Sequence, residues 1–236
     1  MRRKTTRREA LTILGLGGAA LAAGCGGDTA TQPDPATPTS APTGTGTSSA
    51  CAVAPNETEG PYPSITDFTR SDIREGSAGL PLMLTLTVAN ASAGCAAVSG
   101  ALVHVWQCDA QGRYSEYSQP GYDGRAATFL RGMQTTDGNG RVTFTTVYPG
   151  WYQGRATHIH VEVLVNGRSV KVTQIAFPES INAAVYGTGV YAQKGQNPTR
   201  NASDMVFADS LGSEVATASG DTTSGLVATF TVGIAA

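Results

Sequence analysis

The chain has 236 residues, 40% of them hydrophobic and only 14% charged, with a formal net charge of −2. That length supports one sizeable core and one domain, and the near-neutral balance gives no electrostatic basis for nucleic-acid binding. Abundant glycine and frequent apolar/polar alternation predict a mostly β chain.

Residues 1–25 read as an address rather than structure. Arg2, Arg3 and Lys4, then Arg7-Arg8, precede an apolar run from Leu11 to Ala23 that is too short and glycine-rich to span a bilayer well. The Arg7-Arg8 pair predicts export by the twin-arginine route, with an ordinary secretory signal as the alternative. Leu21-Ala22-Ala23-Gly24-Cys25 is similar to a lipobox, although its leucine sits one place early. It makes Cys25 the expected lipidation site, which would tether the protein to a membrane surface by lipid alone. Cleavage after Ala20-Leu21-Ala22 would instead leave a secreted protein. Residues 26–50 are rich in Gly, Thr, Pro, Ser and Ala and form an expected disordered linker, leaving residues 51–236 as the folded domain.

That domain opens with a loop, Asn56-Glu-Thr-Glu-Gly-Pro-Tyr-Pro, held open by two prolines. Leu82 to Val88 alternates and predicts a strand with one buried face. Ala101 to Cys108 is a fuller apolar run, predicted as a central strand; it contains His104, read as a hydrogen-bonded structural histidine, and Trp106, read as core. Asp109 to Tyr117 leaves that strand as a turn and carries two tyrosines, Tyr114 and Tyr117. Phe129 to Val147 predicts two strands joined by a hairpin-type turn at Asp137-Gly-Asn-Gly, with Arg131 in the first of them.

The stretch Tyr148 to Val163, Y-P-G-W-Y-Q-G-R-A-T-H-I-H-V-E-V, is the most informative. His158 and His160 begin a strand, and residues i and i+2 of a strand share a face, so their imidazoles stand side by side. A bare H-x-H pair is also what two polar residues on a solvated strand face look like. Tyr152, six residues upstream beyond a Pro-Gly turn, changes the balance, because a phenol with a solution pKa of about 10 ligates well only to a strong Lewis acid. Zinc prefers Cys, His and carboxylate; two imidazoles with phenolates suggest ferric iron. Ser169 to Phe177 predicts another strand, carrying Gln174. Beyond Pro178 the signals thin, with a short helix or loop over Asn182–Tyr191, another turn of structure over Asn201–Leu211, and a closing strand at Val227–Val232.

Taken together, T-E-G-P-Y, W-Q-C-D-A-Q-G-R-Y and P-G-W-Y…R-x-x-H-x-H resemble the intradiol ring-cleavage dioxygenases, over roughly Cys51 to Phe177. The resemblance implies an all-β fold, a β-sandwich of the intradiol dioxygenase (transthyretin-like) type. It implies non-haem Fe(III) held by Tyr114, Tyr152, His158 and His160, with Tyr114 favoured over Tyr117. A catechol-type ring and O2 would be the substrates and a muconic acid the product. Gly60, Pro61 and Tyr62 would line the pocket, and Tyr152 would also accept a catechol proton. Arg155 would stabilise developing negative charge, and Gln174 would position solvent. His104 departs from the acid often found at its position in the family, and Arg131 lies where a pocket residue or a plain strand charge would serve equally. Export also bears on the cysteines: Cys51, Cys95 and Cys108 suggest one disulfide and one spare thiol. Cys95 and Cys108 flank a strand long enough to hold them more than about 20 Å apart, so Cys51 is expected to pair with one of them, Cys108 being favoured as lying nearer the metal end. Two other classes fit the residues less completely: a non-catalytic β-sandwich surface lipoprotein, and a zinc or copper hydrolase built on the H-x-H pair. Oligomeric state leaves no mark in the sequence.

Overall fold

A computed structural model describes residues 51–235. The leader (1–25), Cys25 and the linker (26–50) lie outside the described residues. Eleven strands and one short helix follow in chain order: β1 (Pro81–Asn90), β2 (Ala96–Ala97), β3 (Leu102–Trp106), β4 (Ser118–Gln119), β5 (Tyr122–Asp123), β6 (Arg131–Thr135), β7 (Arg141–Val147), β8 (His158–Val165), β9 (Arg168–Ala176), α1 (Glu179–Val185), β10 (Thr217–Asp221) and β11 (Gly225–Ile234). Two sheets carry the architecture. In one, β1 lies between β11, its parallel neighbour, and β7, its antiparallel one, with β10 beyond β11 and β2 on the end of β1. The other is antiparallel in the order β6-β3-β8-β9.

Alternation in the sequence is what packs them. Leu82, Leu84, Leu86 and Val88 of β1 are buried with Phe144 of β7 and Ala228 and Val232 of β11. They meet Val103 and Val105 of β3, Ile159, Val161 and Val163 of β8 and Ile175 of β9 in one core. Side chains of opposite parity leave the core, and on the β6-β3-β8-β9 sheet that outward face carries Trp106, His158, His160 and Gln174. The described residues thus form the expected all-β sandwich, with one α-helix of seven residues among them.

Two expectations change. The Asp137–Gly140 turn forms: the Gly140 amide donates to the Asp137 carbonyl at 3.0 Å, and Asp137 Oδ1 accepts from Asn139 and Arg141. It does not close a hairpin ladder, because β6 pairs with β3 and β7 pairs with β1, so the turn is an arch between sheets. Such a turn constrains only its own four residues, and the partners of the flanking strands are chosen by their buried faces. The disulfide also differs: Cys51 pairs with Cys95, not with Cys108. Residues beside Cys51 run along the end of β11, where the Ala54 amide donates to Gly233. The 3₁₀ turn after β1 brings Cys95, at φ +69°, to a Cα separation of 5.7 Å from Cys51, inside the range a disulfide spans. Cys108 is a buried free thiol between Trp106 and Tyr114.

Candidate metal centre

β8 places His158 and His160 on the same outward face, both buried. The His158 Nδ1–H donates to the Ala156 carbonyl at 2.6 Å. A carbonyl only accepts, so the proton sits on Nδ1 and the Nε2 lone pair points inward. That Nε2 lies 3.1 Å from His160 Nε2 and 3.1 Å from the Tyr152 hydroxyl. Tyr152 arrives from the loop between β7 and β8, and Tyr114 from the loop after β3. The Tyr114 ring stands 5.8 Å from the Tyr152 ring and 6.3 Å from that of His160, centroid to centroid. Tyr114 is fully buried, and its hydroxyl has no hydrogen-bond partner of normal geometry. Tyr117 differs: its hydroxyl donates to the Pro63 carbonyl at 2.8 Å, outside this convergence.

The electrostatics follow from burial. His158 is pushed down to about 3, by burial first and then by the Arg155 cation. Burial, followed by His158 and Arg155, holds His160 well below the usual imidazole value. Both are neutral and therefore basic toward a metal. Burial raises Tyr152 to about 12 and Tyr114 well above 10, with neighbouring Tyr152 adding to the shift on Tyr114. Two imidazole nitrogens and two phenols thus come together in a largely buried niche. Unsatisfied buried polar atoms are costly, and a cation there would satisfy all four. No cluster of three or more His, Cys, Asp or Glu able to hold a metal occurs among the described residues, so a metal here depends on the phenols.

Around the four stand the remaining residues singled out in the sequence. Arg155 is buried; its Nε donates to Asp204 Oδ2 at 2.9 Å and its Nη2 to Gln174 Oε1 at 2.6 Å. Gln174, opposite His160 in the β8–β9 ladder, donates through Nε2 to the Thr58 carbonyl at 2.8 Å. The Gly60–Tyr62 loop lies over the centre. A Cβ on Gly60, at φ +71°, would come within 3.0 Å of His160 Cε1, and the Tyr62 ring sits 4.9 Å from Tyr114; Pro61 is exposed beside them. Trp106, read as core, instead floors the site, its ring stacked on His160 at 4.9 Å. His104 sits one cross-strand row away, opposite Glu162, with its Nδ1 3.8 Å from Asp67 Oδ1, outside the four. Arg131 is fully buried and paired with Glu116, and it donates to the Tyr62 and Ser115 carbonyls; it anchors the pocket loop rather than serving as a solvated strand charge.

Sequence reasoning missed Asp204. Burial pushes its carboxyl up, but hydrogen bonds from Arg155, Ala156 and Val206 outweigh that and hold it below its usual value. It stands in a segment without strand or helix periodicity, so only the unpaired Arg155 hinted that an acid was needed. Glu116, which accepts from the Ile65 and Thr66 amides of the pocket loop, was missed likewise.

The β-sandwich thus carries a buried phenol–imidazole centre beside an anchored arginine. A family model described as "Dioxygenase" matches residues 58–194. An intradiol ring-cleavage dioxygenase from Tetranychus urticae is 32% identical, with a TM-score of 0.71, covering 78% of this chain and 95% of that one. The dioxygenase domain of a dioxygenase–carbohydrate-binding protein fusion from Streptomyces sp. SirexAA-E is 26% identical, with a TM-score of 0.56, covering 77% and 99%. The 3-chlorocatechol 1,2-dioxygenase of Rhodococcus opacus shares the fold at 19% identity and a TM-score of 0.53, covering 75% and 71%. No curated protein matches. The chain belongs to the intradiol ring-cleavage dioxygenase family.

Proposed function

We propose that this protein is a non-haem Fe(III) dioxygenase that opens catechol-type rings between the two hydroxylated carbons, adding both atoms of O2 to give a muconic acid. The observation that carries the reading is the convergence of Tyr114, Tyr152, His158 and His160 on one buried point. Hard phenolate oxygens with neutral imidazoles suit a trivalent ion better than zinc, which favours thiolate, imidazole and carboxylate. Ferric iron, when bound there, would supply the charge that turns phenols into phenolates and makes a catecholate reactive toward O2.

The chain's own residues supply the rest. Tyr152 is the less buried of the two phenols, and as a phenolate its Oη would accept a catechol proton. Arg155, its Nε fixed by Asp204 and one Nη by Gln174, holds a preorganised positive charge beside the ring site. The Gly60–Tyr62 loop, anchored through Arg131 and Glu116, would line the pocket over the ring.

Among the described residues the cation beside the site, Arg155, is already engaged by Asp204 and Gln174, which favours catechol or hydroxyquinol types over protocatechuate. Residues 1–25 are proposed as a twin-arginine and lipoprotein leader and 26–50 as a tether, so the reaction would run on plant-derived catechols outside the cell. Iron-loaded protein should show a visible tyrosinate band, and oxygen uptake over a catechol panel should yield muconate spectra. A colourless, iron-free preparation from iron-replete medium overturns the reading. Intact mass of the exported protein tests lipid on Cys25.

A further inference from the structure

The two tyrosines come from separate loops, and something must fix their separation. Lys194 stands between those loops. Its Nζ donates to the Gln111 carbonyl at 2.6 Å and also to the Trp151 carbonyl, and it lies 4.6 Å from the centroid of the Trp151 ring. Gln111 is three residues before Tyr114, and Trp151 immediately precedes Tyr152. The neighbouring backbone adds to the tie: Trp151 Nε1 donates to Gly195 at 2.9 Å, and Gln111 Nε2 donates to Val190 at 3.1 Å. Both tyrosine loops are therefore referenced to one short stretch, Val190–Gly195, which belongs to neither sheet.

The contact has no slack. Gly112 sits at φ +82°, and a Cβ there would fall 2.2 Å from the Trp151 carbonyl oxygen and 2.6 Å from Lys194 Nζ. Two carbonyl oxygens turned toward one point repel unless a multiple donor lies between them. An ammonium, with three donors on a compact charge, fills that role where a planar fork would have to straddle the loops.

We infer that Lys194 is a positioning residue for the donor set: it cross-ties the loops bearing Tyr114 and Tyr152 and sets the distance between their phenols. This rests on the reading of the four side chains as a ferric site. The test compares full-length wild type with Lys194→Met, which keeps the aliphatic stem over Trp151 and deletes the donors. Tm is measured without and with ferric iron, together with iron affinity and the visible tyrosinate band. Expected is a wild-type rise in Tm on iron loading that is cut by half or more in the variant. Iron affinity should fall by about tenfold, the scale for residues that orient ligands, and the band should shift or weaken. Lys194→Arg should recover part of the affinity, and Lys194→Gln, which keeps one amide donor, should fall between and serves if the methionine variant does not fold. Equal loss of Tm in both states, with affinity and band unchanged, overturns the role of Lys194 alone. A wild type with no iron-linked rise and no band overturns the ferric reading and this inference together.

Discussion

Two tyrosines three residues apart, Tyr114 and Tyr117, show what a side chain's surroundings add to its chemistry. Nothing intrinsic separates them, and the choice in the sequence rested on resemblance alone. In the fold, Tyr114 is buried with an unpartnered hydroxyl facing Tyr152, while Tyr117 spends its proton on Pro63. Tyr114→Phe should therefore weaken and shift the visible absorbance of iron-loaded protein, leaving the Tyr152 contribution, and Tyr117→Phe should leave the band unchanged; absorption spectra at matched iron content decide this. Asp204 makes the second case. It accepts from Arg155 Nε and from the Ala156 and Val206 amides while itself fully buried. Removing one partner of a buried ion pair strands the other, at about 3–5 kcal/mol. Asp204→Asn keeps the shape and some acceptors, so the expected cost is about 2–3 kcal/mol by denaturant titration, with catechol turnover falling about 10²-fold as Arg155 loses its orientation. Unchanged turnover in folded D204N would remove Arg155 anchoring from the account.

Strands with one buried face were legible because their period is written in their residues. β1, β8 and β9 lie where alternation put them, and the H-x-H pair came with its strand. The segment from Pro178 to Ala216 was legible only in outline: a short helix or loop over Asn182–Tyr191 and a turn over Asn201–Leu211 stand where the fold has one two-turn helix and several 3₁₀ turns, held by side-chain-to-backbone bonds rather than by ladders. Asn182, Asn197, Asn201 and Asp204 pin it by such bonds, and no period announces them. This segment nonetheless supplies Asp204, the anionic partner of Arg155. The loop over the centre is the complementary case: its sequence was recognised, but the reason for Gly60 appears only in the fold, where the residue occupies the left-handed region against His160. An L side chain there costs about 1–2 kcal/mol of backbone strain, and the 3.0 Å approach of its Cβ to His160 Cε1 adds a contact that the loop relieves by lifting. Gly60→Ala should lower stability by about 1–2 kcal/mol and raise KM for catechol several-fold more than it lowers kcat. A steady-state comparison with the reverse split would mean the glycine serves the metal ligands rather than substrate entry.

At the scale of the whole molecule, the sandwich is closed by a buried acid that belongs to neither sheet. Glu214 is fully buried where the segment between α1 and β10 meets β9; its backbone carbonyl accepts from Ala176, and its side chain accepts from the Ser210 hydroxyl, leaving Oε1 without a partner. Burial pushes its carboxyl up to about 7 from a reference of 4.5; the Ser210 hydrogen bond opposes this, and Glu57, Asp209 and Asp204 add to the rise. The folded state therefore holds this proton over a pH range in which the unfolded chain has released it. By linkage, stability falls wherever the folded state binds more protons than the unfolded one. The contribution is fully present below about pH 4.5 and is lost as pH rises toward about 7. Other carboxyls push the opposite way: Asp204, held low, adds stability that disappears as the medium turns acid. The two effects are separated by Glu214→Gln, which keeps the shape and an acceptor for Ser210 but cannot ionise. Denaturant midpoints measured from pH 4.5 to pH 7.5 should decline in the wild type relative to the variant, and the difference between them should level off above about pH 7. Parallel profiles across that window would mean that Glu214 is solvated and ionised in the native state, and that the segment between α1 and β10 is looser over β9 than its hydrogen bonds indicate.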